Sequence, residues 1–260
     1  MKKNRVRDKC VLRIVRQIAG GDSHLQSFSY EIRSKEDTVA TALRALQSDP
    51  DLRDIEGNAA TPPVWECGCM QKKCGACAML VNGDPALACG SRLCDLPERI
   101  TLAPLRKFPV VADLMVDRSR MQENLRRIRL WMEGQASFLE KTAEDAYEAS
   151  RCLQCGLCLE VCPNFDPAGA FTGMASAVPA ARVLMTLARK QDPALVGLYR
   201  EHVFKGCGKS LACRDICPAR IDTGEMLAQS NAIAVWHRYR KQKQLHEKTD
   251  NENEQKEGMR

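Results

Sequence analysis

Only four histidines occur in the 260 residues, so metal chemistry here would have to use ligands other than imidazole. No run approaches eighteen uncharged apolar residues, the length a helix needs to cross a bilayer, so no membrane-spanning segment is expected. The basic start, Met1-Lys2-Lys3-Asn4-Arg5, is followed by no apolar signal core, and the chain is expected on the cytoplasmic side. Apolar content is not short: at 44% it suffices for ordinary cores and excludes wholesale disorder. The length suits two compact domains.

Cysteine is abundant, with fourteen residues. A reducing compartment keeps few structural disulfides, so this much thiol calls for metal binding or redox chemistry. With so little histidine the ligands are sulfur, and soft thiolate sets suit zinc or iron–sulfur clusters. The formal net charge is +6. Basic residues gather at the N-terminus, in Arg118 to Arg129 and in Arg238 to Lys243. No nucleic-acid recognition motif accompanies them, so solvated helix faces are the simpler account and no nucleic acid is expected as a partner. A surface meeting anionic headgroups or an acidic protein is the sharper alternative.

The N-terminal third reads as mixed α and β. Cys10, Leu12 and Ile14 share one face of a strand, Gly20-Gly21-Asp22 makes a turn, and Gln26 to Ile32 is the return strand. Asp37 is placed as N-cap of a helix whose apolar positions are Val39, Ala42, Leu43 and Leu46, ending near Pro50. Residues 57–66, with Pro62-Pro63, read as a loop. Val81-Asn82-Gly83-Asp84 signals a tight hairpin, and Ile100 to Leu102 a last short strand. The proline-containing segment Ala103 to Val111 marks the division between domains. Beyond it the pattern is helical: Asp113 to Glu133 without glycine or proline; a capping-box-like Thr142-Ala143-Glu144-Asp145 opening a helix up to Cys152; a helix through Arg189 with Pro179 in its first turn; and a final helix toward Lys243 capped by Asp222 with Glu225. Residues 246–260 read as a polar tail.

The motif Cys152-x2-Cys155-x2-Cys158-x3-Cys162-Pro163 is the bacterial ferredoxin run. Two residues between thiols let a tightly turning backbone offer three sulfurs to three corners of one cubane, and the fourth cysteine serves the other cluster. A C-x-x-C pair alone could bind zinc, but the whole run followed by proline points to iron and sulfide. The partner run is Cys207-x5-Cys213-x3-Cys217-Pro218, in which Ser210 stands where Cys155 stands in the first copy. Cross-ligation assigns Cys152, Cys155, Cys158 and Cys217 to a [4Fe–4S] cluster. Cys162, Cys207 and Cys213 remain, three thiolates that suit a [3Fe–4S] cluster, or a [4Fe–4S] cluster if Ser210 supplies oxygen to a fourth iron.

Upstream, Cys69-x4-Cys74-x2-Cys77 matches the plant-type [2Fe–2S] spacing. Gly75 lets the loop wrap closely, and Cys89 arrives as fourth ligand from beyond the Asn82-Gly83 hairpin. Cys67 has the wrong spacing to Cys74. Of the cysteines left over, Cys10 reads as a small buried hydrophobe, and Cys67 and Cys94 as packing residues rather than spare ligands. Oxidised clusters with their thiolates each carry about −2, which nearly offsets the formal positive charge.

One plant-type [2Fe–2S] domain followed by a helical domain with [4Fe–4S] and [3Fe–4S] sites resembles the iron–sulfur subunit of succinate dehydrogenase and fumarate reductase, the complex II family. Gly75-x-Cys77-Ala78-Met79, Asn82-Gly83, Leu87-Ala88-Cys89 and Phe108-Pro109-Val110-Val111-x-Asp113-Leu114-x-Val116-Asp117 carry the resemblance, which covers residues 8–243. It implies an α+β chain: a β-grasp, plant-type ferredoxin-like domain over residues 1–108 and an all-α bacterial ferredoxin-like domain over 109–245. It implies a flavoprotein partner subunit with covalently bound FAD that interconverts succinate and fumarate. Electrons would pass singly between that flavin and quinone, at a membrane anchor subunit beside the [3Fe–4S] cluster. The chain itself would do no substrate chemistry and would sit peripherally on the cytoplasmic face of the cell membrane.

The chain departs from the family in places. Met70-Gln71-Lys72-Lys73 replaces the common Arg-Glu-Gly after the first cysteine. After Cys162-Pro163 stands Asn164-Phe165-Asp166-Pro167, without the tryptophan of ubiquinone-linked members, and Gly208 takes the place of their histidine. A menaquinone-linked member is therefore expected. The small-residue stretch Pro167 to Ala181 reads as close helix packing around the cubanes, with an anchor-subunit contact as the alternative. Competing functions are service to another flavoprotein, such as glycolate oxidase or a thiol-linked fumarate reductase, and a free-standing ferredoxin.

Overall fold

The computed structural model describes residues 8–131, 140–186 and 193–236. Strand β1 (Lys9–Arg16) turns the side chains of Cys10, Leu12 and Ile14 to one buried face, as strict alternation requires. It pairs antiparallel with β2 (His24–Glu31), Cys10 opposite Tyr30 and Leu12 opposite Phe28. Helix α1 (Val39–Gln47) buries Val39, Ala42, Leu43 and Leu46 in the same apolar cluster as these strands. Its N-cap is Thr38, one residue beyond the expected Asp37. Thr38 and Thr41 cap each other reciprocally, whereas the Asp37 carboxylate accepts from the Tyr30 hydroxyl and the Arg33 amide.

Strands β3 (Ala78–Val81) and β4 (Asp84–Leu87) form the expected hairpin. Asn82 and Gly83 both take positive φ, 53° and 89°, the twist-compatible turn that this residue pair favours. Two 3₁₀ turns, Ala88–Gly90 and Leu93–Asp95, lead to β5 (Arg99–Ala103), which runs parallel to β1 with Leu12 opposite Ile100 and Ile14 opposite Leu102. The sheet order is β2-β1-β5-β3-β4. Each of these fully buried aliphatic side chains contributes about 1.5–3 kcal/mol.

The stretch expected to be one helix from Asp113 to Glu133 is divided. Val110–Ala112 (β6) and Met115–Val116 (β7) make a two-stranded ribbon, and helix α2 spans only Ser119–Arg127. Asp113 sits in the ribbon's turn at φ 47°. Its carboxylate accepts from Arg16 Nε at 3.0 Å, Gln17 N at 3.2 Å and Val64 N at 2.8 Å. That tertiary demand overrides the local helical pattern. Both charges of the Arg16–Asp113 pair are buried, and the other two Arg16 nitrogens donate to Gln26 Oε1 and to Thr61, so each guanidinium nitrogen has a partner.

The second half is helical: α3 (Glu140–Ser150), α4 (Leu157–Glu160), α5 (Met174–Thr186), α6 (Pro193–Tyr199) continuing as a π-turn Arg200–Phe204, α7 (Ala212–Asp215) and α8 (Thr223–Asn231) continuing as a π-turn to Trp236. Thr142 lies inside α3, not at its cap. Helix α5 begins upstream of the expected start, so Pro179 falls in its interior. The expected end at Arg189 and the basic run Arg238 to Lys243 lie outside the described residues, as does the tail 246–260. Asp222 caps α8 as expected, accepting from the amides of Gly224 and Glu225. Helix α5 packs against α3 and α8, with Ala177, Ala180 and Ala181 buried; the small residues of its first half therefore serve packing. Both apolar clusters touch the loop between α3 and α4, which joins the β-rich and helical parts. The architecture is α+β. No helix among the described residues is long and apolar enough to cross a membrane.

Candidate metal centres

Cys77 immediately precedes β3 and Cys89 follows β4, so the hairpin register brings them together at its open end. Their sulfurs are 3.4 Å apart and both residues are buried. Cys69 and Cys74 belong to the loop before β3. Here Met70 and Lys72 are left-handed, at φ 56° and 59°, as is Gly75 at 74°. Such reversals turn successive amides inward and make a concavity for negative charge. Gln71 N and Lys73 N donate to Cys69 Sγ at 3.3 and 3.2 Å, Cys69 N to Cys74 Sγ at 3.4 Å, and Lys72 N to Cys89 Sγ at 3.3 Å. The Gln71 and Lys73 amides bring the Cys69 thiol down to about 7, while burial pushes Cys77 up to about 12. Arg118 clamps this loop from outside, donating to the carbonyls of Ala76 and Ala78 on either side of Cys77 and pairing with Glu66. The Met70–Lys73 departure thus leaves the amide cradle intact.

In the helical part, Cys152, Cys155, Cys158 and Cys217 line one cavity. Met174, Val178 and Ile221 supply apolar walls. Burial raises the Cys152 thiol, raises Cys155 to about 11, and puts Cys158 well above the ordinary range. A buried thiolate set of this kind is stable only against a compensating cation, which a cluster's iron supplies. The cavity, its all-sulfur donors and its apolar walls fit a cubane cluster.

Cys162 follows α4, Cys207 follows the π-turn after α6, and Cys213 lies in α7. Burial raises the Cys213 thiol most, and Cys162 and Cys207 are near enough for their charge to raise it further. Thr223 Oγ1 lies 3.3 Å from Cys213 Sγ. Cys213 also lines the cavity shared by Cys152, Cys155, Cys158 and Cys217. Ser210 is exposed, between left-handed Lys209 and Leu211. Lys107 holds the loop after Cys162, its ammonium donating to the carbonyls of Cys162 and Phe165; Glu160, buried, accepts from Arg106 Nε and Lys107 N.

Among the described residues no three histidine, cysteine, aspartate or glutamate side chains converge so as to hold a single metal ion. Cys10 is buried in β1 as expected. Cys67 and Cys94 are exposed, which corrects their reading as packing residues: Cys67 Sγ lies 3.3 Å from Met70 Sδ and Cys94 Sγ 3.3 Å from the Lys35 carbonyl. Sequence reasoning missed Lys107, Arg118 and Gln154, because each reaches a cysteine loop from elsewhere in space or by its rotamer, and no spacing marks them.

The first and second sites adjoin. A Cβ on Gly75 would stand 2.7 Å from Cys155 Cβ and 2.9 Å from the Leu153 carbonyl oxygen, so the loop carrying Cys74 and Cys77 lies directly on the loop carrying Cys155. The second and third sites share α4 and its flanks, with Cys158 in the helix and Cys162 just after it.

Comparison with known proteins bears on both cluster-bearing parts of the chain. Residues 11–123 match the family described as a 2Fe-2S iron-sulfur cluster binding domain, and residues 148–221 the 4Fe-4S dicluster domain. The chain is 34% identical to the succinate dehydrogenase iron-sulfur subunit of Bacillus subtilis over 203 residues, 74% of this chain and 79% of that one. It is 28% identical to the fumarate reductase iron-sulfur subunit of Wolinella succinogenes over 230 residues, 82% of this chain and 90% of that one. A chain of the Mycobacterium smegmatis Sdh1 complex in the apo form superposes with a TM-score of 0.72 at 24% identity, covering 87% of this chain and 95% of that chain; this likeness bears on the fold.

Proposed function

Because the chain belongs to the family of succinate dehydrogenase and fumarate reductase iron–sulfur subunits, we propose that it relays electrons between the FAD of a flavoprotein subunit and a membrane quinone, menaquinone, held at an anchor subunit. The proposed ligands are Cys69, Cys74, Cys77 and Cys89 for [2Fe–2S], Cys152, Cys155, Cys158 and Cys217 for [4Fe–4S], and Cys162, Cys207 and Cys213 for [3Fe–4S]. When bound, the clusters supply reversible one-electron chemistry. The division between the two cluster-bearing parts is placed at residues 108/109, and the complex at the cytoplasmic face of the membrane.

The observation that carries this reading is the contiguity of the three cysteine groups. Gly75 brings the first loop against Leu153 and Cys155, and one helical turn separates Cys158 from Cys162. The chain's own work is to hold these loops in line, to exclude water with the apolar walls around Cys155 and Cys158, and to aim amide donors at the sulfurs around Cys69 and Cys89. No side chain has to bind succinate or fumarate, so the subunit is an electron carrier within an oxidoreductase.

The test is coexpression with the flavoprotein and anchor subunits, followed by succinate-dependent reduction of quinone analogues in membranes. Reduction of a menaquinone analogue, lost when Cys155 is replaced by alanine, is expected. Turnover with ubiquinone analogues but not menaquinone analogues would overturn the quinone assignment, and turnover unaffected by the substitution would overturn the relay.

A further inference from the structure

Pro179 lies inside α5 and has no amide hydrogen, so the Ala175 carbonyl that residue 179 would serve in an uninterrupted helix lacks that donor. Gln154 supplies one: its Nε2 donates to Ala175 O at 2.8 Å. An acceptor at that distance fixes the amide orientation, because the side-chain oxygen could not face a carbonyl there. The same nitrogen carries a second hydrogen, and Cys152 Sγ lies 3.2 Å from it. Gln154 holds a left-handed backbone at φ 51° between Cys152 and Cys155, a conformation that side-chain-bearing residues rarely adopt. One anchored donor thus meets a sulfur of the second site.

We propose that Gln154 is a positioning residue that raises the reduction potential of the [4Fe–4S] site through its hydrogen bond to Cys152, and that Pro179 keeps it there by leaving the Ala175 carbonyl for it. The inference rests on the assignment of Cys152, Cys155, Cys158 and Cys217 to that cluster. Reduction adds one negative charge to the site and its thiolates, so a donor aimed at a ligating sulfur stabilises the reduced form more than the oxidised one. Pro179 acts at one remove. With an ordinary residue there, the helix amide would claim Ala175 O and the glutamine would lose its anchor.

The experiment is potentiometry on the anaerobically purified complex, following the reduced-state paramagnetic resonance signals of the [4Fe–4S] and [2Fe–2S] sites in wild type, Gln154→Leu and Pro179→Ala. Gln154→Leu is expected to lower the ratio of reduced to oxidised [4Fe–4S] about tenfold at a fixed poise, equal to 59 mV for one electron. Pro179→Ala, which favours the helix and so folds readily, is expected to shift it the same way by less. The [2Fe–2S] potential stays put in both. An unmoved [4Fe–4S] potential in Gln154→Leu, or equal movement of both sites, would overturn the proposal. Absence of any [4Fe–4S] signal in the wild-type complex would instead overturn the ligand assignment beneath it.

Discussion

A methyl group on Gly75 would test the junction between the first two sites. The alanine Cβ would lie 2.7 Å from Cys155 Cβ, whereas ordinary contact begins at 3.4 Å, so the loops would have to part by about 0.7 Å. The neighbours are backbone atoms and a Cβ, which cannot swing aside as the end of a long side chain could. Overpacking of this kind costs about 1–3 kcal/mol. Gly75 also has φ 74°, where a side chain costs about 1–2 kcal/mol by itself. Gly83 separates the two contributions: its φ is 89°, but nothing lies within 4 Å of the Cβ it would gain. Gly83→Ala should show the conformational cost alone, and Gly75→Ala should be less stable than it by about 1–3 kcal/mol. Urea unfolding of the anaerobically purified, cluster-loaded protein, followed by circular dichroism, gives both midpoints. Equal destabilisation by the two substitutions would refute the close approach of the loops and, with it, the shortest route between the first two sites.

Asp113→Ala would leave Arg16 buried without its carboxylate and strip the acceptor from the amides of Gln17 and Val64; the expected loss is about 3–5 kcal/mol, read as a lowered unfolding midpoint. A loss below about 1 kcal/mol would show that the pair does not tie the ribbon to the sheet. Cross-ligation predicts that Cys217→Ala abolishes the [4Fe–4S] signal although Cys217 belongs to the second run, while Cys213→Ala abolishes only the third site's signal. The opposite pattern in paramagnetic resonance would reverse the assignment. Removing the metals by anaerobic chelation should destabilise the helical half more than the sheet, because Cys77 and Cys89 flank a hairpin held by its own strand ladder, whereas Cys155 and Cys158 lie in a loop and a four-residue helix; hydrogen exchange resolved along the chain checks this, and equal loosening of both halves would contradict it.

The cysteine groups were legible because ligation demands short, fixed spacings, and the second run could be aligned on the first despite Ser210. The strands around Cys10 and Ile100 and the Asn82-Gly83 hairpin were legible for a similar reason, since strict alternation and positive φ are local requirements. The misplacements arose where distant groups decide. Asp37 and Thr38 are both capable caps, and the choice falls to Thr38 because Tyr30 and Arg33 engage Asp37. The run after Asp113 lacks glycine and proline, yet Arg16 and Val64 hold Asp113 in a turn. Pro179 looked like a first-turn residue because the partner that tolerates it inside α5, Gln154, is 25 residues away. Lys107 and Arg118 were invisible for the same reason: each serves backbone carbonyls of a cysteine loop far along the chain.

Three cysteine groups are proposed to hold three different clusters, the last with only three thiolates. Paramagnetic resonance of the anaerobically purified, then air-oxidised protein addresses this most directly, since oxidised [2Fe–2S] and [4Fe–4S] sites are silent and an oxidised [3Fe–4S] site is not. A stoichiometric signal in the oxidised state, lost in Cys213→Ala, is the predicted result. Silence in the oxidised state, with signals appearing only on reduction, would contradict the account and give the third site a fourth ligand, with Ser210 the first residue to replace.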